Sequence, residues 1–279
     1  PGTDWEVSGR EAATVRVSLD GTHNQDVVVY RGETPHPYQV ALGNLAAGPH
    51  VLRFERLAAF SAPQAAAIQL LGGSLGVVPP GAPGYDVLAR CPILLGRSSS
   101  HKTDTPLVMM VDEAPRAAGG TVTRYTAVYS NEDGGTATPA LMARWGRTCD
   151  IDWAYAIETD VVGKPVAETY QAMLHFTRSF KGKYEGRHPI LRVATNNNCY
   201  DDEGDGPLKF RLPPLFRLDP AQTAREEVLD RHPWTYGIMA KELFRERKAQ
   251  RDLSPSDGPV APSEKKGPIG DPRRFLFVE

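Results

Sequence analysis

Asp150 and Asp152 stand two residues apart in Asp150-Ile151-Asp152-Trp153-Ala154-Tyr155-Ala156-Ile157-Glu158, the cleanest apolar and polar alternation in the chain. Alternate residues of a strand share a face, so these two carboxylates are expected about 6.5 to 7 Å apart along the backbone. Carboxyl groups separated by roughly 5 to 9.5 Å are what glycoside hydrolysis uses, one as acid and the other as nucleophile or base. Glu158 lies about 20 Å from Asp152 at the same rise and could serve only with another partner. The competing explanation is that a one-sided sheet turns its polar residues to water whatever their use. Trp145, Trp153 and Tyr155 offer surfaces on which a sugar ring could stack, although aromatics at this spacing also build cores.

A second candidate is the run Thr195-Asn196-Asn197-Asn198-Cys199-Tyr200-Asp201-Asp202-Glu203-Gly204-Asp205-Gly206. Asn196, Asn198, Asp201, Asp202 and Asp205 are hard oxygen donors of the kind Ca²⁺ takes in sets, and the glycines let the backbone wrap an ion. The order of an EF-hand loop and its distal Glu are missing. Asn, Asp and Gly are equally the residues of turns, so a solvated loop explains the same composition.

Ser98-Ser99-Ser100-His101-Lys102-Thr103-Asp104 holds the residue types of a serine triad without the strained Gly-x-Ser-x-Gly turn that presents such a nucleophile. His101 is therefore read as an acid/base or metal-binding group on a loop. His175 and His188 bracket a cationic and aromatic run in which Lys181 and Arg187 would orient an acidic sugar, with Trp153 and His188 completing the substrate contacts. A solvated hairpin turning at Gly182 and Gly186 is the alternative. Nucleotide-binding glycine motifs and His-Glu-x-x-His are absent.

The elements that must carry these groups read as strands. With 41% hydrophobic and 24% charged residues, 26 Gly and 24 Pro in 279, the composition is that of a turn-rich β protein. A net charge of −2 gives no footprint for nucleic acid, and no apolar run approaches the roughly 20 residues of a membrane span. Pro1-Gly2-Thr3-Asp4-Trp5 has no signal-peptide pattern, as expected of a mature or trimmed form. Cys91, Cys149 and Cys199 allow at most one disulfide and fit no zinc spacing.

Val15, Val17 and Leu19 alternate before a turn at Asp20-Gly21, Val27 to Tyr30 follows, and Tyr38, Val40 and Leu42 resume the period before His50 to Glu55. Gly48-Pro49-His50-Val51-Leu52-Arg53-Phe54 resembles the closing hairpin of accessory sandwich modules found beside carbohydrate-active enzymes, over about a fifth of the chain. Further strands are expected at Val87 to Leu95, Pro106 to Val111, Thr121 to Tyr129, Leu141 to Trp145 and Asp150 to Glu158. Asp219-Pro220 opens a helix to Arg231, and after His232-Pro233 a second runs from Trp234 with Tyr236, Met239 and Leu243 on one face.

The expected fold is mainly β: a small β-sandwich module over 1–78, a larger β-rich domain with C-terminal helices over 85–253, and an extended tail over 254–279 docking through Phe275-Leu276-Phe277-Val278. The expected function is that of a secreted or surface carbohydrate-active protein. It would be a polysaccharide hydrolase or lyase in which Asp150, Asp152 and His101 do the chemistry and Ca²⁺ sits in the polar loop. The alternatives are a noncatalytic glycan-binding module and a virion or envelope structural protein.

Overall fold

The computed structural model describes residues 2–5, 7–32, 34–65, 67–132, 147–219 and 224–245, and the side chains of these up to residue 240. The expected strand Leu141 to Trp145, the helix start at Pro220 and the tail from Ser254 lie outside the described residues. The fold is mainly β. Ala13–Leu19 (β1) turns into Thr22–Val29 (β2) with Leu19 opposite Thr22. Asp20 and Gly21 adopt φ of 50° and 80°, the left-handed pair that a two-residue hairpin requires and that Asp-Gly supplies. Leu52–Leu57 (β3) pairs on the other side of β1, giving the order β2-β1-β3.

Two expected strands take other forms. Tyr38 to Leu42 joins no ladder, because side chains occupy its backbone: Gln25 Nε2 donates to the Ala41 carbonyl and Asn24 Nδ2 to that of Leu42, each at 2.9 Å. Val87 to Leu95 divides into a helical turn, Tyr85–Ala89 (α1), and a short strand, Ile93–Gly96 (β4). Gly84 at φ 83° starts the turn by accepting from Leu88 N at 2.9 Å.

Pro106–Pro115 (β5), Thr121–Tyr129 (β6), Ile151–Thr159 (β7), Pro165–Gln171 (β8) and Thr177–Ser179 (β9) form an antiparallel meander. Tyr184–Glu185 (β10), His188–Val193 (β11), Tyr200–Asp201 (β12) and Leu208–Phe210 (β13) build a second sheet on β4. Its order is β10-β11-β4-β13, with β12 also on β11 and β11 parallel to β4. Pro214–Leu218 (β14) returns to the meander as a parallel neighbour of β5. Glu227–Arg231 (α2) and Trp234–Arg245 (α3) follow, with Tyr236 and Met239 buried as their spacing predicts. A single buried cluster draws on all three sheets, from Trp5, Val28 and Tyr30 through Met109 and Ile151 to Leu191 and Met239.

The alternation expected of β7 is interrupted. Tyr125 of β6 faces Tyr155 and Thr126 faces Trp153, so Ala154 is an extra residue with no opposite number. Such a bulge turns the strand locally and re-aims what precedes it. The start of the face expected to be acidic and wet is covered, with Asp150 and Asp152 5% and 7% exposed, whereas the Glu158 side chain at its far end is 39% exposed and pairs with Arg116. β7 is an inner strand between β6 and β8, and α3 closes over its start, where Met239 Sδ accepts from Cys149 N at 3.2 Å.

Candidate functional site

The turn between β11 and β12 positions the first group of the site. Ala194 N donates to the Cys199 carbonyl at 2.8 Å, Asn198 N to that of Thr195 at 3.2 Å, and Cys199 N to Thr195 Oγ1 at 3.1 Å. Closing so tight a turn puts Asn198 at φ 47°, a conformation Asn tolerates better than other non-glycine residues. The turn aims the fully buried Asn198 inward, where Nδ2 donates to Asp150 Oδ2 at 3.0 Å. Burial pushes the Asp150 carboxyl well above the usual carboxylate range. The charges of Asp152 and Glu132 push the same way, against Asn198 and Arg147.

Asp152 enters from β7. Its carboxyl is also raised by burial, opposed by Gln171, by His175 and by Arg225 and Arg147. Asp152 Oδ2 is buried and makes no hydrogen bond among the described residues. It faces His175 Nδ1 at 3.9 Å. His175 comes from the turn after β8, where Leu174 and His175 both take φ 59° and Ala172 N donates to the Phe176 carbonyl at 2.8 Å. The imidazole is 55% exposed while the Asp152 side chain is 10% exposed, so a buried carboxyl group stands behind a solvent-facing ring. Asn197 Nδ2 lies 3.2 Å from the other ring nitrogen.

Cys199 follows Asn198 into the same space. Its thiol is buried and pushed up by burial. One donor atom each from Asp152, His175 and Cys199 lies within 4.8 Å of the other two, the one such His, Cys, Asp or Glu cluster among the described residues. Beneath them Tyr129 and Tyr200 share a hydrogen bond at 2.8 Å, both buried and both with pKa raised by desolvation. The cluster combines two carboxylates that resist joint ionisation, an imidazole open to solvent and a thiol. It can transfer protons or bind a cation.

The other expected site residues lie in different settings. His101 Nδ1 donates to the Ser98 carbonyl at 2.7 Å and its ring meets the edge of Phe60, with no hydrogen bond or ion pair to Asp150 or Asp152. The His101 loop does reach the polar turn, through Arg97, whose guanidinium donates to Asn196 Oδ1 and to Asp104. His188 is a core residue, its Nδ1 donating to the Cys91 carbonyl at 2.8 Å. Arg187 pairs with Asp86 of α1 at 2.7 Å and stacks over Tyr85, whereas Trp153 is half-buried under Arg124. Lys181 donates its backbone N–H to Asp202 at 2.6 Å.

The carboxylates of the polar loop are engaged locally. Asp201 pairs with Arg192 at 3.0 Å and caps Glu203 N at 3.2 Å, and Asp205 accepts from Gly206 N at 2.7 Å. Sequence reading did not give His175 and Cys199 their place beside Asp152. A lone thiol inside the most polar run of the chain was the signal available, but nothing in the spacing pairs it with residues 24 and 47 positions earlier. Elsewhere, a cleft of about 230 Å³ opens between β2, β5 and α3, lined among others by Tyr30, Tyr38, Leu107, His232 and Trp234. No protein-family model, curated protein or solved structure matches the chain.

Proposed function

We propose that this chain cleaves polysaccharide by hydrolysis or elimination, outside the cell or at its surface, with Asp150, Asp152 and His175 as the proton-handling groups. The observation that carries the reading is the arrangement around Asp152: a buried carboxylate 3.9 Å from an imidazole that faces solvent, with a second buried carboxylate behind it. Two buried carboxyls of unequal environment, Asp150 the more strongly raised and Asp152 the one opposed by His175, can divide the roles of proton donor and base. In this reading the sheet of β1 to β3 belongs to a small accessory sandwich module, and Ca²⁺ bound by Asn196, Asp201 or their neighbours steadies the polar loop. With a net charge of −2, a glycan suits the surface better than a nucleic acid.

A noncatalytic glycan-binding role is the second reading. It is favoured by the cleft lined by Tyr30, Tyr38 and Trp234, where Arg31 lies 4.6 Å over the Trp234 ring and Asp26 is the one carboxylate among the described lining residues. Assay of the purified chain on neutral and acidic polysaccharides separates the two. In the enzyme reading, Asp152→Asn lowers turnover at least about 100-fold while glycan affinity stays within a factor of two or so. Retention of glycan by wild type with no chain shortening across the panel would transfer the assignment to the binding module.

A further inference from the structure

We propose that Asp152, His175 and Cys199 form a binding site for one transition-metal ion of the zinc class. The key distance is 3.9 Å between Asp152 Oδ2 and His175 Nδ1. It is too long for a hydrogen bond, yet close to the roughly 3.3–3.8 Å that separates two ligands of one tetrahedral ion with bonds of 2.0–2.3 Å. All three donor atoms fall within 4.8 Å of one another, so closing them onto an ion takes small side-chain rotations.

A second observation points the same way. Asp152 Oδ2 is buried and makes no hydrogen bond among the described residues, although its side chain is 10% exposed. The buried Gln171 amide beside the carboxyl opposes its raised pKa but makes no well-formed hydrogen bond to Oδ2, and an oxygen held out of water and so weakly served is costly, which a cation relieves. His175 supplies the route of entry, since its ring is more than half exposed. Turning the Asn197 amide over would offer its Oδ1 to an Nε2–H and leave Nδ1 as the ligand, and that hydrogen bond would fix the ring's tautomer and orientation as it does for metal-binding histidines.

The donor set selects the ion. A thiolate, an imidazole and a carboxylate form a mixed, borderline-soft site, which excludes Ca²⁺ and Mg²⁺ and suits Zn²⁺ or Co²⁺. Three protein ligands leave a fourth position toward solvent beside His175, the pattern of a reactive rather than a sealed zinc site. The same residue types could form a Cys-His-Asp nucleophilic system. Cys199 argues against that, because its thiol is buried and a nucleophilic cysteine needs a stabilised thiolate near the surface. The ion goes beyond polysaccharide cleavage and does not rest on it. With an ion bound, Asp152 would be a ligand and proton transfer would fall to Asp150.

The test uses the full chain, stripped with chelator and titrated with Zn²⁺ by calorimetry, and with Co²⁺ by absorption. One ion per chain is expected, with a thiolate-to-cobalt charge-transfer band. His175→Gln, at an exposed position, should keep the melting temperature of the stripped protein and weaken Zn²⁺ binding at least about 10-fold, and Cys199→Ser should abolish the charge-transfer band. Cys91→Ser, remote from the cluster, should leave both unchanged. The proposal is overturned if Zn²⁺ does not bind stoichiometrically or if the His175→Gln protein binds it as tightly as wild type. It is overturned equally if iodoacetamide alkylates Cys199 at neutral pH as fast in saturating Zn²⁺ as in chelator, the behaviour of a nucleophile instead of a ligand. Stoichiometric Zn²⁺ binding by a wild-type chain that cleaves no polysaccharide would count against the enzyme reading alone.

Discussion

Asn198 holds Asp150 in place: the Asn198 amide donates to Asp150 Oδ2 at 3.0 Å from a backbone fixed at φ 47°. The same residue both serves a turn and partners a buried acid, so two costs can be separated by mutation. Asn198→Ala loses the hydrogen bond and keeps a Cβ in the left-handed region without the amide that makes Asn tolerant of it, whereas Asn198→Gly loses the bond but also relieves the Cβ. Chemical denaturation should place the Ala variant below the Gly variant by about 1 kcal/mol, and both below wild type by about 1–3 kcal/mol. Equal stability of Ala and Gly would show that the turn relaxes when the amide is removed.

Asp150 itself should limit stability at neutral pH. Its folded-state pKa is raised, so the stability it contributes is fully present below the ordinary value of 3.8 and is lost as pH rises through the folded-state value. Asp150→Asn removes that loss and keeps an oxygen to accept from Asn198. In chelator, the variant should melt above wild type at pH 8, by about 2–4 °C for each kcal/mol recovered, and the gap should narrow toward pH 4. A variant that melts below wild type at pH 8 would mean that the charged carboxylate is better satisfied than its burial implies.

His188 works in the opposite direction. Burial, its largest influence, lowers its pKa, so its contribution is present above the ordinary value of 6.5 and is lost as pH falls through the folded-state value. Thermal melts between pH 8 and pH 5 should show wild type losing stability on the acid side and His188→Gln losing less. Parallel curves would assign the acid sensitivity to the other histidines with lowered pKa, His101 and His232 among them.

Gly120 closes the hairpin between β5 and β6 at φ 91°, and a Cβ there would meet the Thr159 carbonyl oxygen at 2.0 Å. Gly120→Ala should cost about 3 kcal/mol or more, the class of overpacking combined with a forbidden backbone angle. Gly163, also left-handed at φ 79° but with open space around its Cβ position, is the control. Gly163→Ala should cost only about 1 kcal/mol. Urea denaturation of the two variants measures the difference.

The strands of the meander were legible because short-range alternation states them: Thr121–Tyr129 matches its expected bounds, and Asp20-Gly21 announces its hairpin. Tyr38 to Leu42 was misread because Asn24 and Gln25, distant in sequence, supply the partners that a ladder would have supplied. Val87 to Leu95 was misread because apolar content is common to a buried strand and a buried helical turn, and Gly84 decides between them through its backbone angle. At the site, Asp150 and Asp152 stood out by spacing, but their burial follows from α3 and from the Asn198 turn, which no local pattern connects to β7. The cations beside His188 in sequence suggest a substrate contact, whereas its ring binds the carbonyl of Cys91.

The parallel pairing of β11 with β4 sets the order in which the molecule can be completed. β5 to β9 pair with their immediate sequence neighbours, whereas β11 must find a strand that left the ribosome nearly a hundred residues earlier. Local hairpins close quickly and long loops close late, so the meander can form while β11 is still being made. Asn198 and Cys199 ride on the turn that follows β11. The covering turn of Asp150 and Asp152 thus depends on a long-range pairing, while the strand that bears them pairs locally.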